Sequence, residues 1–150
     1  MKVHVSTKTH MLQIVLDEKS KQECLGLNYG QKFSNLHLDP SDFCDHITIY
    51  HPYNGGDDRY PLDLDRNVEI TPIGYVDTSY VTALVVAVVQ GRSSPMFYQA
   101  GGRRLLHITL GCAPTVKPVA SNDAILSNAV KILSNRPNLS GVVRFVKLVD

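Results

Sequence analysis

An α+β fold, one unit spanning all 150 residues, is the architecture this sequence predicts. Three observations point to it. Short β-branched apolar runs are separated by turn residues, two segments carry helical spacing, and no low-complexity tract or linker divides the chain. A chain of this length buries roughly 68–70% of the surface its unfolded form exposes, so it needs neither disulfide nor metal to hold a core.

The elements follow in order. Met11–Leu16 is apolar and β-branched, a strand that stops at Asp17. Asp17 or Ser20 can cap a helix over Asp17–Leu27, with Cys24, Leu25 and Leu27 as its apolar positions. Asn28–Pro40 is rich in turn residues and reads as a loop, Phe43–Tyr50 as a strand, and Pro52–Asp58 as a surface loop. Val68–Val76 and Tyr80–Gln90 form a hairpin across Asp77-Thr78-Ser79. The stretch Val81–Val89 is almost continuously apolar, the mark of a strand covered on both faces. Gly91–Gly102 is a Gly/Ser/Pro-rich loop, and Leu105–Gly111 is the next strand. After the proline-punctuated turn Ala113–Val119, Ser121 or Asn122 caps a helix running to about Asn135. Ile125, Ala129, Ile132 and Leu133 form its apolar face. Gly141–Val149 closes the chain as a strand.

Composition narrows the function classes. The formal net charge is +1, which argues against a broad basic face for duplex DNA but allows a ligand with one or two phosphates. The longest apolar run, Ala83–Val89, is far too short to span a bilayer, and nothing resembles a signal peptide, so no membrane partner is expected. Cys24, Cys44 and Cys112 are odd in number and lack CxxC spacing, which fits a reduced, cytoplasmic setting and no zinc site.

The chemistry concentrates in a short repeated motif. His46-Ile47-Thr48-Ile49 and His107-Ile108-Thr109-Leu110 share one pattern, 61 residues apart. Six histidines and eight threonines placed at random give about 0.3 His-x-Thr triplets in a chain of this length. Two occur, each with apolar residues at its second and fourth positions. On a strand, alternate residues share a face, so His46, Thr48 and Tyr50 lie on one side, as do His107, Thr109 and Gly111. Each strand then presents an imidazole and a hydroxyl about 7 Å apart, while the isoleucines and Leu110 enter the core. Histidine's ordinary value near 6.5 lets one ring be neutral and the other charged at neutral pH. The neutral ring can take a proton from an attacking water, and the charged ring can give one to the leaving oxygen. The threonine hydroxyls, with nearby amides, can hold the non-bridging oxygens of a phosphate. Metal-free cleavage of a phosphodiester fits this set, and no third or fourth zinc ligand is evident.

With these motifs the chain resembles the two-histidine (2H) phosphoesterase superfamily, which is defined by paired His-x-Thr/Ser motifs. Leu12–Leu16, Asp17 and the helix after them are similar to that family's opening strand and helix. Gly111–Val119 with Ser121-Asn122 resembles the pattern G-x-A-P-G-V-K-P-x-x-S-N of an RNA-repair-associated subgroup, with Thr115 standing where that subgroup has glycine. The likeness covers most of residues 11–126. It implies a bilobal α+β fold, two antiparallel sheets facing across a cleft with one motif in each lobe. It also implies cofactor-free opening of a 2′,3′-cyclic phosphate to a 2′-phosphate. His46 would be the acid, His107 the base, and Thr48 and Thr109 the phosphate ligands.

The expected substrate is an RNA end or a small cyclic nucleotide. Some viral and phage members of the family instead hydrolyse cyclic or 2′,5′-linked oligonucleotide defence signals. A binding module of another class would grip a nucleotide or RNA end in the same place without cleaving it. Further substrate contacts are expected from Tyr50, by stacking on a base or by core packing, and from Lys117 and Arg104, each either a phosphate ligand or a solvated charge.

Overall fold

The structure, a computed structural model, describes residues 10–27, 32–36, 43–51, 55–56, 64–89, 95–96, 105–133 and 136–147. In chain order the elements are β1 (His10–Leu16), α1 (Glu18–Gly26), β2 (His46–His51), β3 (Gly55–Gly56), β4 (Asn67–Asp77), β5 (Val81–Val89), β6 (His107–Cys112), α2 (Ala120–Ser127), β7 (Lys131–Ile132) and β8 (Leu139–Lys147).

Among the described residues every strand pairing is antiparallel, and the strands form one sheet in the order β1-β8-β4-β5-β6-β2-β3, with β7 added to β4. β1 also pairs with β2, Ile14 opposite Ile47 and Gln13 opposite Thr48, so the sheet returns on itself. Closure removes the open edges that two separate sheets would leave. Its narrowest seam is β2–β6, where Ile47 opposite Ile108 is the one registered pair among the described residues.

This overturns the predicted α+β, two-lobed arrangement. The strands expected to divide between two sheets are joined into one by the β1–β2, β2–β6 and β5–β6 pairings. Helix is also shorter than the spacing implies. The segment predicted helical to about Asn135 is helical only over Ala120–Ser127. Asn128 turns extended, its side chain donating to the Ala124 carbonyl at 2.8 Å, and Lys131–Ile132 then pairs with Tyr75 and Gly74 of β4. Ile132, assigned by its spacing to a buried helical face, is 79% exposed. Nor does Ser121 or Asn122 cap α2, since Val119 holds that position with no side-chain bond.

The alternation within each strand is as the pattern predicts. Leu12, Ile14, Ile47, Ile49, Leu84, Val86, Ile108, Leu110 and Val143 point into the main core. Val81, Ala83, Val85 and Cys112 point the other way, into a smaller cluster beneath Ala124 and Ile125 of α2. That is why Val81–Val88 is buried throughout.

α1 is fastened at its start. The Asp17 carboxylate caps it by accepting from the Ser20 amide at 2.8 Å and also accepts from the Ser140 hydroxyl, while the Ser140 amide donates to the Ser20 hydroxyl at 2.8 Å. The Ser140 hydrogen bond is the main reason the Asp17 carboxyl lies below its usual range. Beside it Gly141 lets β8 approach β1: a Cβ there would sit 2.6 Å from the Val15 carbonyl oxygen. Cys24, Cys44 and Cys112 are buried thiols outside any disulfide, and burial pushes the Cys44 thiol up to about 12. No helix among the described residues is long and apolar enough to cross a membrane.

Candidate functional site

β2 and β6 lie side by side, so the two His-x-Thr motifs are neighbours in one sheet rather than partners across a gap between lobes. Ile47 and Ile108 face each other and are fully buried in the main core. Their flanking residues therefore turn to the opposite face. Antiparallel continuation of that pair sets His46 beside Thr109 and Thr48 beside His107. Residues directly opposed on one face have Cβ atoms about 4.5–5.5 Å apart, and diagonal neighbours about 7–8 Å. The two imidazoles occupy one diagonal of this quartet and the two hydroxyls the other.

Each ring is held by its Nδ1. That of His107 donates to the Leu105 carbonyl at 2.9 Å, and since a carbonyl only accepts, Nδ1 carries a proton. The Nδ1 of His46 donates to the Asp45 carboxylate. In both rings Nδ1 is thus the tethered nitrogen, and Nε2 is the second one, on the other side of the ring. Burial differs: His107 is 8% exposed, whereas the His46 and Asp45 side chains are 26% and 24% exposed. An imidazolium at His46 would make its contact with Asp45 charge-assisted, which the neutral carbonyl of Leu105 offers less strongly to His107.

The hydroxyl of Thr109 meets that of Ser121 at 2.8 Å. Ser121 is fully buried in the first turn of α2, which packs on the same sheet face through Ala124 and Ile125 against Ala83 and Val85. Ala83 lies opposite Thr109 and Val85 opposite His107, so β5 and α2 wall one side of the quartet. On the other side β1 places Gln13 opposite Thr48 and Val15 opposite His46.

The remaining expected residues fare differently. Lys117 stands exposed in the turn before α2, its carbonyl accepting from the Ala120 amide at 3.0 Å. The backbone of Tyr50 pairs with Leu12 and Gly56, and its side chain lies outside the described residues. Arg104 and most of the Gly91–Gly102 loop also lie outside them. Thr115, the departure from the subgroup pattern, takes a left-handed φ of 70°, the conformation that a glycine there would adopt without strain. Among the described residues, no group of three or more His, Cys, Asp and Glu side chains is arranged to hold a metal ion.

Sequence reasoning passed over three residues of this neighbourhood. Asp45 carried a signal, being a carboxylate immediately before the first motif. Ser121 was read as a cap rather than as a partner of Thr109. Gln13 stood as the polar member of an apolar strand, and only the register reveals that it adjoins Thr48. No family model matches the chain, and no curated protein is significantly similar to it.

Proposed function

We propose that the chain is a metal-independent phosphodiesterase of the two-histidine type. It would open a cyclic phosphate on an RNA end or a small nucleotide or oligonucleotide. The observation that carries this reading is the Ile47–Ile108 register, which sets two imidazoles and two hydroxyls in one quartet on one face. Histidines present only for packing have no reason to alternate with hydroxyls across two strands, or to be tethered twice by the same ring nitrogen.

In this reading the phosphate sits over the quartet, its non-bridging oxygens accepting hydrogen bonds from Thr48 and Thr109. Ser121 fixes the direction of the Thr109 hydroxyl. Water attacks phosphorus and passes its proton to Nε2 of His107. The bond from phosphorus to O3′ breaks, and the departing O3′ takes a proton from Nε2 of a charged His46. The product is a 2′-phosphate. The acid role falls to His46 because its Nδ1 is held by the Asp45 carboxylate, and the base role falls to the more buried His107. After turnover the charges are reversed, and exchange with solvent resets them. Three buried thiols outside any disulfide suit a reducing compartment, and the reading sets the activity in the cytoplasm.

The test is turnover of 2′,3′-cyclic AMP, an RNA ending in a 2′,3′-cyclic phosphate, a cyclic dinucleotide and 2′,5′-oligoadenylate, all in excess chelator. Turnover of at least one by the wild-type protein supports the enzyme. Tight binding with no product from any of the four would make this face a binding module.

A further inference from the structure

The quartet is the inner end of a longer polar row. Gln13 of β1 lies opposite Thr48 on one side and opposite Arg144 of β8 on the other. Leu12, Ile14 and Val143 point into the core, so Gln13 and Arg144 share the outer face with the motifs. Arg144, Gln13, Thr48 and His107 therefore follow one another across four adjacent strands. With strands about 4.8 Å apart, Arg144 is roughly 10 Å from Thr48.

Two features of this row call for a ligand. Gln13 is 6% exposed, and its side-chain amide, hydrogen-bonded to no described residue, is not among the fully buried polar atoms. Its amide tip therefore lies at the surface of the row, where a ligand can replace water as its partner. Arg144 is exposed and forms no ion pair among the described residues, although Asp65 is close, its amide donating to the Val143 carbonyl at 2.8 Å.

We infer that Gln13 and Arg144 form a second subsite for the substrate of the proposed phosphodiesterase, taking the nucleotide next to the scissile phosphate. The Gln13 amide can donate to a phosphate or ribose oxygen and accept from a 2′-hydroxyl. The Arg144 guanidinium can take the neighbouring phosphodiester in a forked pair of bonds. The substrate class is thus an oligonucleotide with at least one phosphodiester beyond the one cleaved, whether a cyclic-phosphate-ended RNA or a cyclic oligonucleotide. A lone nucleoside 2′,3′-cyclic phosphate would leave the outer half of the row empty.

This inference rests on the proposed activity, and the experiment separates the two. Rates are measured on 2′,3′-cyclic AMP, on the dinucleotide ApA ending in a 2′,3′-cyclic phosphate, and on cyclic di-AMP. The wild-type protein is compared with Arg144→Ala and Gln13→Leu. The wild-type protein is expected to favour a two-phosphate substrate, the ApA or the cyclic arm showing which form the row fits. Arg144→Ala should lower the ratio of its kcat/KM to that of 2′,3′-cyclic AMP by about tenfold. It should also make log kcat/KM for that substrate less sensitive to salt, because one charge–charge contact is lost. Gln13→Leu should raise KM for the two-phosphate substrate with little change in Tm, a combination that a purely structural glutamine would not produce. Ratios and salt slopes unchanged in both variants would overturn the second subsite and leave the phosphodiesterase standing. No turnover of any substrate by the wild-type protein would remove the activity itself, and the subsite with it.

Discussion

At the scale of single residues, Asp45 and Leu105 do the same work for different rings. Each accepts from Nδ1 and so fixes the ring, but only Asp45 brings a charge. Asp45→Ala is expected to lower kcat by about tenfold or more with little change in KM, since partners that orient a working imidazole commonly matter to that degree. Steady-state kinetics on the best substrate of the panel checks it, and an unchanged kcat would show that His46 needs no such partner. Thr115 raises a stability question instead. A β-branched residue at φ 70° is strained by about 1–3 kcal/mol, partly offset by the greater chain entropy that glycine restores to the unfolded state. Thr115→Gly is therefore expected to raise Tm by roughly 2–4 °C, the shift that about 1 kcal/mol gives a protein of this size.

At the scale of elements, the β2–β6 seam and the start of α1 carry separate loads. Ile47 and Ile108 form the registered pair of the seam and are fully buried. Truncating either to alanine should cost about 2–5 kcal/mol by denaturant titration. It should also depress activity, because the same pair sets the alignment of His46 with Thr109. α1 responds to pH. The Asp17 carboxyl lies below its ordinary value of 3.8, so its ionised form stabilises the folded state. That contribution is complete above the ordinary value and is lost as pH falls through the lowered one. Asp17→Asn keeps the cap, since asparagine caps as well as aspartate, but loses the charge, so it should be somewhat less stable than the wild-type protein at pH 7. The gap in Tm should narrow on acidification below pH 4, and a constant gap would show that the carboxylate charge is not what holds α1 to β8.

At the scale of the whole molecule, periodicity revealed the strands but not their partners. Alternation in His46–Ile49 and His107–Leu110 assigned the correct face to every described motif residue, because burial of Ile47, Ile49, Ile108 and Leu110 is a local property of the strand. Pairing is not local. The contact of β1 with β2 joins residues more than thirty positions apart, and no composition signal distinguishes one closed sheet from two facing ones. The second helix misled for a related reason. Ile125, Ala129, Ile132 and Leu133 keep helical spacing, yet Lys131–Ile132 gains more by pairing with β4 than by extending α2. Gln13 was hidden the same way, since its importance lies in two cross-strand neighbours. The central claim is that His46 and His107 act together on one phosphate, and its most direct measurement is turnover in excess chelator by the wild-type protein, His46→Ala, His107→Ala and the double variant. Each single change is expected to lower kcat by about 10²–10⁴, with the double variant little worse than either, as for groups that act as a unit. Full activity in either single variant would contradict the account.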